Sequence, residues 1–536
     1  MRPNLKSLLI FLFTASLLCS CSSDKNTDRD HLIFRYNEHS NITSLDPAFA
    51  RNPQNIWPTN QLFNGLVQLD DSLNIQPDIA RHWKIVDSTC TYYFTLRDDV
   101  YFHESDVFGL DRTRTVNAND FEYSFNRLID PQVASPGSWV MNNVALVKAE
   151  NDSVVKIMLN QPFPAFLGML GMRYFSVVPR EGVEHFGNEW RRNPIGTGPF
   201  QFKLWEENLK LVFRRNPRYF EQDAQGVQLP YLEAVAITFL PDKQSEFLQF
   251  TQGKIDFMSG LDNSYKDEIL TTTGQLQEKY KDKVNLLTTP YLNTEYLGFF
   301  TGAQTPEIRS LKLRQAVNYG FDRRKMVTYL RNGMGVPAEY GFIPKGLPGF
   351  AEISGYTYQP AKARALVEEY KAETGDLFPE IVIGTNSQYL DICEYMQREL
   401  EKLGIEVAID VMPPSTLRQM KSSGELDIFR ASWVADYPDA ENYLSLFYSP
   451  NFTPKGPNYT HYKNELMDSL YDKSLSIIDI EERKKIYTQM DSLIVADAPV
   501  VPLYYDMAIR FVNKKVNGLG INPQNFLFLK RVKKDK

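Results

Sequence analysis

Leu426-Asp427-Ile428-Phe429-Arg430-Ala431-Ser432-Trp433-Val434-Ala435-Asp436-Tyr437-Pro438-Asp439 carries an apolar run into a turn that holds one cation, one indole and one carboxylate. Leu426 and Ile428 alternate and Phe429 follows, which reads as a short strand. Asp436-Tyr437-Pro438-Asp439 ends it, because the proline ring removes a donor and restricts the residue before it. The polar side chains therefore stand where a strand stops. Arg430 and Asp436 are six positions apart, an even offset that puts both on one face if the segment stays extended. Read this way, the segment is half of a clamp for the two ends of one molecule.

At the other end of the chain, Arg2 and Lys6 precede the apolar run Leu8 to Leu18, about half of the ~20 residues that a transmembrane helix needs. Such a run suits the core of an export signal. It ends in Leu18-Cys19-Ser20-Cys21, which resembles a lipobox, with an apolar residue three before Cys21 and a small one just before it. Cys19 follows the bulky Leu18, so Cys21 is the expected lipidation site and residues 1–20 the expected signal peptide. An ordinary cleaved signal is the alternative. Residues 21–30 are polar and poor in large apolar side chains, as a flexible tether should be.

No second long apolar run follows, so the body is expected to be water-soluble and held to a membrane only by its lipid. Its 536 residues amount to three or four domain-sized units at about 150 residues each, and 43% hydrophobic and 13% aromatic content fills substantial cores. A formal charge of -7 and the absence of a dense Lys/Arg block argue against nucleic acid, whose phosphates require a basic footprint. Besides Cys21, processing leaves Cys90 and Cys393. Two buried free thiols on separate elements are expected, rather than a disulfide.

The first half is rich in strand signals: Thr91 to Leu96, Val154 to Leu159, Leu209 to Phe213 and Ala234 to Leu240. Between the first two lies a helix, capped by Asn117 or Asn119, with Phe121, Phe125, Leu128 and Ile129 on one face and Asp130-Pro131 as its stop. In the second half a helix from about Tyr389 to Leu403 stops at Gly404, and Ile405 to Asp410 follows as a strand. A further helix spans about Glu481 to Val495. Ala498 to Tyr505 then reads as an edge strand or a return crossing between lobes, given Pro499 and Pro502.

The usual catalytic constellations are absent, with no H-E-x-x-H, G-x-S-x-G or C-x-x-C. Gly196-Thr197-Gly198 begins like a dinucleotide fingerprint, but Pro199 follows and no third glycine completes it, so it reads as a structural turn. The histidines, His31, His39, His82, His103, His185 and His461, never pair at the spacing of a zinc site, and His103-Glu104 reads as a loop feature. No catalytic residue, metal or cofactor is expected.

Several ordered blocks together resemble the extracytoplasmic solute-binding proteins of the peptide/nickel class, the receptors of oligopeptide and dipeptide ABC importers. They are Thr43-Ser44-Leu45-Asp46-Pro47, Leu62-Phe63-Asn64-Gly65-Leu66-Val67, Pro77 to Trp83, Tyr93 to His103 and Val116 to Ser124, then Pro194 to Phe200, Arg215 to Phe220, Leu313 to Arg323, and the Trp433 to Asp439 turn. The match spans nearly the whole mature chain. It implies an α/β, two-lobed periplasmic-binding-protein fold of the cluster C kind, with an extra domain in the N-terminal lobe and a hinge between lobes that close on ligand. Residues 31–58, 185–288 and 507–536 are expected to form lobe I, 59–184 the extra domain, and 289–506 lobe II.

The resemblance gives Asp436 the N-terminal ammonium of a short peptide, a charge-assisted bond of about 1.5–3 kcal/mol. It offers Arg430 to the peptide's terminal carboxylate. The extended span between them, at most ~20 Å, accommodates the ~10–14 Å of a tri- or tetrapeptide. Trp433 becomes a pocket wall, and Ser432 and Val434 beside it offer backbone groups to an extended ligand. Asn41, Ile42 and Thr43 match a segment whose backbone lines the cleft in relatives, some of which carry an acidic residue where this chain has Asn41. Ser135-Pro136-Gly137-Ser138-Trp139 matches the cleft loop, with Gly137 where an aromatic residue is often found and Trp139 as its substitute. The bland readings are a turn carboxylate for Asp436, surface pairing of Arg430 with Asp427 or Asp439, and core packing for Trp433 and Trp139.

The implied role is a monomeric binding lipoprotein of the cell envelope, facing the periplasm. It captures short peptides and serves a membrane permease powered by separate ATPase subunits. Ser22 rather than Asp follows Cys21, and which membrane holds the lipid is left open. Competing readings are a receptor for an oligosaccharide, chelated nickel or haem, insensitive to Asp436, and a surface lipoprotein with a scaffold or hydrolytic role.

Overall fold

The computed structural model describes residues 31–86 and 90–536. The expected signal peptide, Cys21 and the tether lie outside these residues. The strands of the first half are β1 (Ile33–Asn37), β2 (Val67–Leu69), β3 (Ile75–Pro77), β4 (Ala80–Val86), β5 (Thr91–Leu96), β6 (Val144–Asn151), β7 (Val154–Leu159), β8 (Phe200–Glu206), β9 (Lys210–Arg215), β10 (Ala234–Thr238) and β11 (Phe257–Ser259). Those of the second half are β12 (Val284–Phe299), β13 (Val336–Pro337), β14 (Glu380–Thr385), β15 (Glu406–Val411), β16 (Ile428–Val434), β17 (Val500–Asn513), β18 (Val516–Asn517) and β19 (Lys533–Lys534).

One eleven-stranded sheet, ordered β15-β14-β16-β12-β17-β11-β1-β10-β9-β8 with β13 also on β17, serves both halves of the molecule. Its middle is the antiparallel pair of two long strands, β12 of 16 residues and β17 of 14. Near the centre, Pro290 pairs with Met507 and Thr294 with Tyr505, so Tyr291, Leu292 and Asn293 all stand opposite Asp506. This bulge concentrates twist and bending at one point of an otherwise continuous ladder. The boundaries expected at 288/289 and 506/507 fall inside this pair.

Val500 to Leu503 is an edge within a crossing strand: β12 pairs with it on one side, while β13 joins the other side only at Tyr504 and Tyr505, and β11 only from Arg510. Pro502 is tolerated at the register shift between Glu295 and Tyr296, where the ladder is already interrupted. Its carbonyl accepts a bond of 2.6 Å from the buried Arg323 Nε.

The antiparallel sheet β4-β5-β7-β6 forms the body of the extra domain. Helix Ala118–Asn126 starts in a capping box between Asn117 and Asp120, and buries Phe121 and Phe125. One apolar core runs from Phe34, Tyr36 and Phe257 to Tyr92, Phe94 and Phe121, so lobe I and the extra domain are packed as one body. In the second half, β14 runs parallel to β15 and β16. Helix Leu390–Glu401, expected from Tyr389 to Leu403, packs Ile392, Met396 and Leu400 on one side of the sheet, and helix Ile480–Asp497 packs Ile486, Met490 and Ile494 on the other.

Gly196-Thr197-Gly198 is a structural turn. A side chain on Gly196 would overlap the carbonyl oxygen of Leu62, so only glycine permits this approach. His103 staples the turn, accepting the Gly196 N–H at Nδ1 over 3.2 Å and bonding the Gly198 carbonyl from Nε2 over 3.0 Å. Burial pulls this imidazole down to about 4, so it stays neutral. Cys90 and Cys393 are free, Cys393 buried as expected and Cys90 only half-buried.

Candidate ligand-binding cleft

The central strand of the site is β16, which pairs with β12 along its whole length and with β14 only at Ile428 and Phe429. Ala435 N–H bonds the Leu292 carbonyl at 2.9 Å. Antiparallel ladders alternate, so the backbone groups of Ser432 and Val434 turn away from β12, toward the edge that β14 does not reach. Val434 is 36% exposed. An extended chain has a strand edge to pair with here.

Asp436 lies just beyond this edge, in the turn that Pro438 closes. Asn442 holds the turn from below: its Oδ1 accepts from Trp433 Nε1 at 3.0 Å and from the Asp436 N–H at 3.1 Å, and its Nδ2 donates to Asp436 Oδ2 at 3.4 Å. Gln524 donates to the carbonyls of Ala435 at 3.3 Å and Asp436 at 3.1 Å. The Asp436 carboxylate has no cationic partner among the described residues. Burial pushes it up to about 6, against the smaller opposing effect of the Asn442 bond. It is set deep among protein groups yet remains partly exposed to water. Trp433 packs on the lobe II core and shares Asn442 with Asp436, which makes it the support of this carboxylate.

The strand ends at Val434, so Arg430 and Asp436 do not share one extended face. Arg430 points at Glu295 of β12, forming a buried ion pair, and its guanidinium carbon stands 3.2 Å from the Tyr389 ring centroid. It pairs with neither Asp427 nor Asp439. Asp427 accepts from Thr305 Oγ1 at 2.8 Å, and Asp439 is held by Arg483 at 3.0 Å and Tyr487 at 2.8 Å. Close by at the β12 bulge, Asp506 pairs with Arg331 at 2.9 Å, and Asn293 Nδ2 reaches Glu295 at 3.0 Å and Asp506 at 3.4 Å.

Three residues of the site have no signal in local sequence spacing. Tyr174 packs its ring over Gly137, where any side chain would overlap it. Burial, then the charge of Asp436, push its hydroxyl up to about 12, while Arg51 opposes them. Trp139 instead sits on the outside of the 3-10 turn Ser138–Met141, 38% exposed. Lys421, near the end of helix Pro414–Ser423, lies 3.9 Å from the Tyr459 ring centroid. Burial, then repulsion from Arg430, pull its ammonium down to about 8. Neither Lys421 nor Arg51 has an ion-pair partner among the described residues. The carboxylate of Asp436 and the cations Lys421 and Arg51 thus stand without ion-pair partners among the described residues.

Of the opening segment, Asn41 is exposed and Ile42 buried. Thr43 is tied to Asn55, its N–H donating to Oδ1 at 3.2 Å and its Oγ1 accepting from Nδ2 at 3.0 Å. No hydrogen bond among the described residues joins this segment to the Trp433 to Asp436 turn. The next residue of the turn bridges the lobes directly: Tyr437 is buried in the core shared by lobe I and the extra domain, edge-on to Phe163 at 6.1 Å, while its hydroxyl donates to Glu441 of lobe II at 2.5 Å.

A sheet shared by two lobes, with a charged cleft at the crossing strands, is the build of a solute receptor. Residues 74–454 match the family described as bacterial extracellular solute-binding proteins, family 5 Middle, and the chain belongs to that family. It is 27% identical to the probable deoxycholate-binding periplasmic protein YgiS of Escherichia coli, over 98% of each chain. It is 24% identical to the periplasmic oligopeptide-binding protein OppA of Salmonella typhimurium, over 92% of this chain and 91% of that one. The solved structure of the periplasmic binding protein DppA from Helicobacter pylori, in complex with the peptide STSA, superposes with a TM-score of 0.78 at 23% identity, covering 94% of this chain and 98% of that one.

Proposed function

We propose that the chain captures short peptides between its lobes and delivers them to an ABC permease driven by separate ATPase subunits, acting as a monomer held to a membrane by lipid on Cys21. One observation carries the peptide reading: an enclosed carboxylate, Asp436, without a cationic partner stands beside the open backbone edge at Ser432 and Val434. A peptide supplies an ammonium for the first and main-chain groups for the second. Lys421 and Arg51 offer its terminal carboxylate the opposite charge. Arg430, already neutralised by Glu295, organises the wall between them.

The full-length likeness to YgiS supports a second reading, a bile-acid ligand. An anionic ligand is repelled by Asp436, so its affinity should rise as that carboxylate is neutralised, opposite to the peptide case. Native mass spectrometry of the protein purified without added ligand decides between them. A ladder of adducts with peptide masses is expected; a single recurring mass in the sterol range overturns the peptide reading.

A further inference from the structure

The outer face of the lobe I sheet is uncovered where β1, β10 and β9 run side by side. Cross-strand register lines up Ile33, Ala234 and Arg214 in one row, and Arg35, Ala236, Val212 and Leu204 in the next, with Thr238, Lys210 and the exposed Glu206 in a third. The alanines of β10 leave a trough of about 550 Å³ with an apolar floor and cations along its sides. Lys210 and Arg214 are exposed and have no ion-pair partner among the described residues. Glu233, the acidic group of the trough, is held by Arg215 at 3.3 Å.

The C-terminal pair β18–β19 packs Val516 and Val532 into the core beneath the sheet and meets β1 at its start. Lys534 reaches the Ile33 carbonyl at 2.8 Å and Asp256 at 2.9 Å, Lys533 lies 3.8 Å over the Tyr231 ring, and Lys515 approaches the Lys536 carbonyl at 3.4 Å. Lys515, Lys533 and Lys536 are exposed. The exposed cations Lys210, Arg214, Lys515, Lys533 and Lys536 stand among the exposed acids Glu206, Glu233 and Asp535, a local excess of positive charge on a chain of formal charge -7. The N-terminal segment enters the fold at the same place: Leu32 lines the trough, and its carbonyl accepts from the Glu233 N–H at 2.9 Å. The stretch from Cys21 to Asp30 spans at most about 35 Å.

We propose that this face is the membrane-facing side of the protein and docks on the phosphate headgroups of anionic phospholipid. The chain's entry point favours a bilayer over a protein partner. If Cys21 is lipidated, its short tether holds this face, and no more distant one, within a few Debye lengths of the headgroups. The proposal takes its orientation from the lipid-anchor reading and its charge from the fold alone.

The test uses the chain from Ser22 onward, which contains every residue described and no anchor. Co-sedimentation with vesicles of phosphatidylcholine alone should give no binding. Vesicles with about one third phosphatidylglycerol should bind the protein, and added salt should release it. Lys210→Glu with Arg214→Glu should weaken that partition about tenfold or more, with ligand affinity and melting temperature unchanged. Equal partition on both lipids, no partition on either, or wild-type partition by the double variant overturns the proposal. The intact mass of the mature full-length protein separately decides whether Cys21 carries acyl chains, so loss of the anchor reading and loss of this one are told apart.

Discussion

Glu295 on β12 and Arg430 on β16 form a buried ion pair across the crossing strands, and the cation Arg430 is thereby satisfied before any ligand arrives. Removing one partner strands the other in low dielectric, which costs about 3–5 kcal/mol. Arg430→Ala should therefore lower stability in urea unfolding by that amount, and Arg430→Met combined with Glu295→Gln should recover most of it. Full stability of Arg430→Ala with lost peptide affinity would instead make Arg430 a ligand contact.

Asp436 is an acid whose folded-state value, about 6, lies above its ordinary value of 3.8. The fold disfavours its ionised form, so at pH 7.5 the carboxylate lowers the stability of the empty protein, and that penalty fades as pH falls from about 6 toward 4. Asp436→Asn should raise the melting temperature of the empty protein at pH 7.5 by a few degrees. It should also abolish the ligand-induced rise. In the wild type, peptide affinity measured by calorimetry should fall by about tenfold per pH unit below 6.

Tyr174 and Gly137 act as a matched pair. Gly137→Ala should reduce peptide affinity about tenfold by displacing the ring, and adding Tyr174→Ala should restore the melting temperature without restoring affinity. Tyr174→Phe should leave stability unchanged and cost several-fold in affinity if the hydroxyl touches ligand.

Lys421→Gln should weaken peptides with a free terminal carboxylate by about 10- to 100-fold, and leave C-terminally amidated peptides almost unaffected. Equal losses for both would place Lys421 outside the carboxylate contact. Its ammonium loses charge near pH 8, so the preference for free carboxylates should decline above that pH in the wild type.

Features governed by neighbours in sequence were legible in it. The alternation before Trp433, the proline that stops the strand, and a cap at Asn117, one of the two asparagines offered, are local, and the structure carries each. What could not be read depends on register between distant strands. Glu295 lies 135 residues from Arg430, and only the β12–β16 pairing brings them together. Tyr174 carries no spacing signal relative to Gly137, whereas Trp139 lies two residues from it in sequence. Lys421 lies on helix Pro414–Ser423, where a lysine ordinarily faces water, so nothing in its spacing set it apart. Pro502 argued for an edge, and β17 has a strand on one side only at that residue, next to a register shift.

The paired strands at the centre of the sheet also set an order of assembly. β11 has β1 on one side and β17 on the other, and helix Pro53–Leu62 is completed by bonds from Trp57 and Gln61 to the carbonyls of Asn525 and Leu527. The lobe that leaves the ribosome first is thus finished last. Until residues beyond Val500 arrive, β11 and β12 present raw edges to other chains. A premature stop at Val500 or just before it is as damaging to the beginning of this protein as to its end.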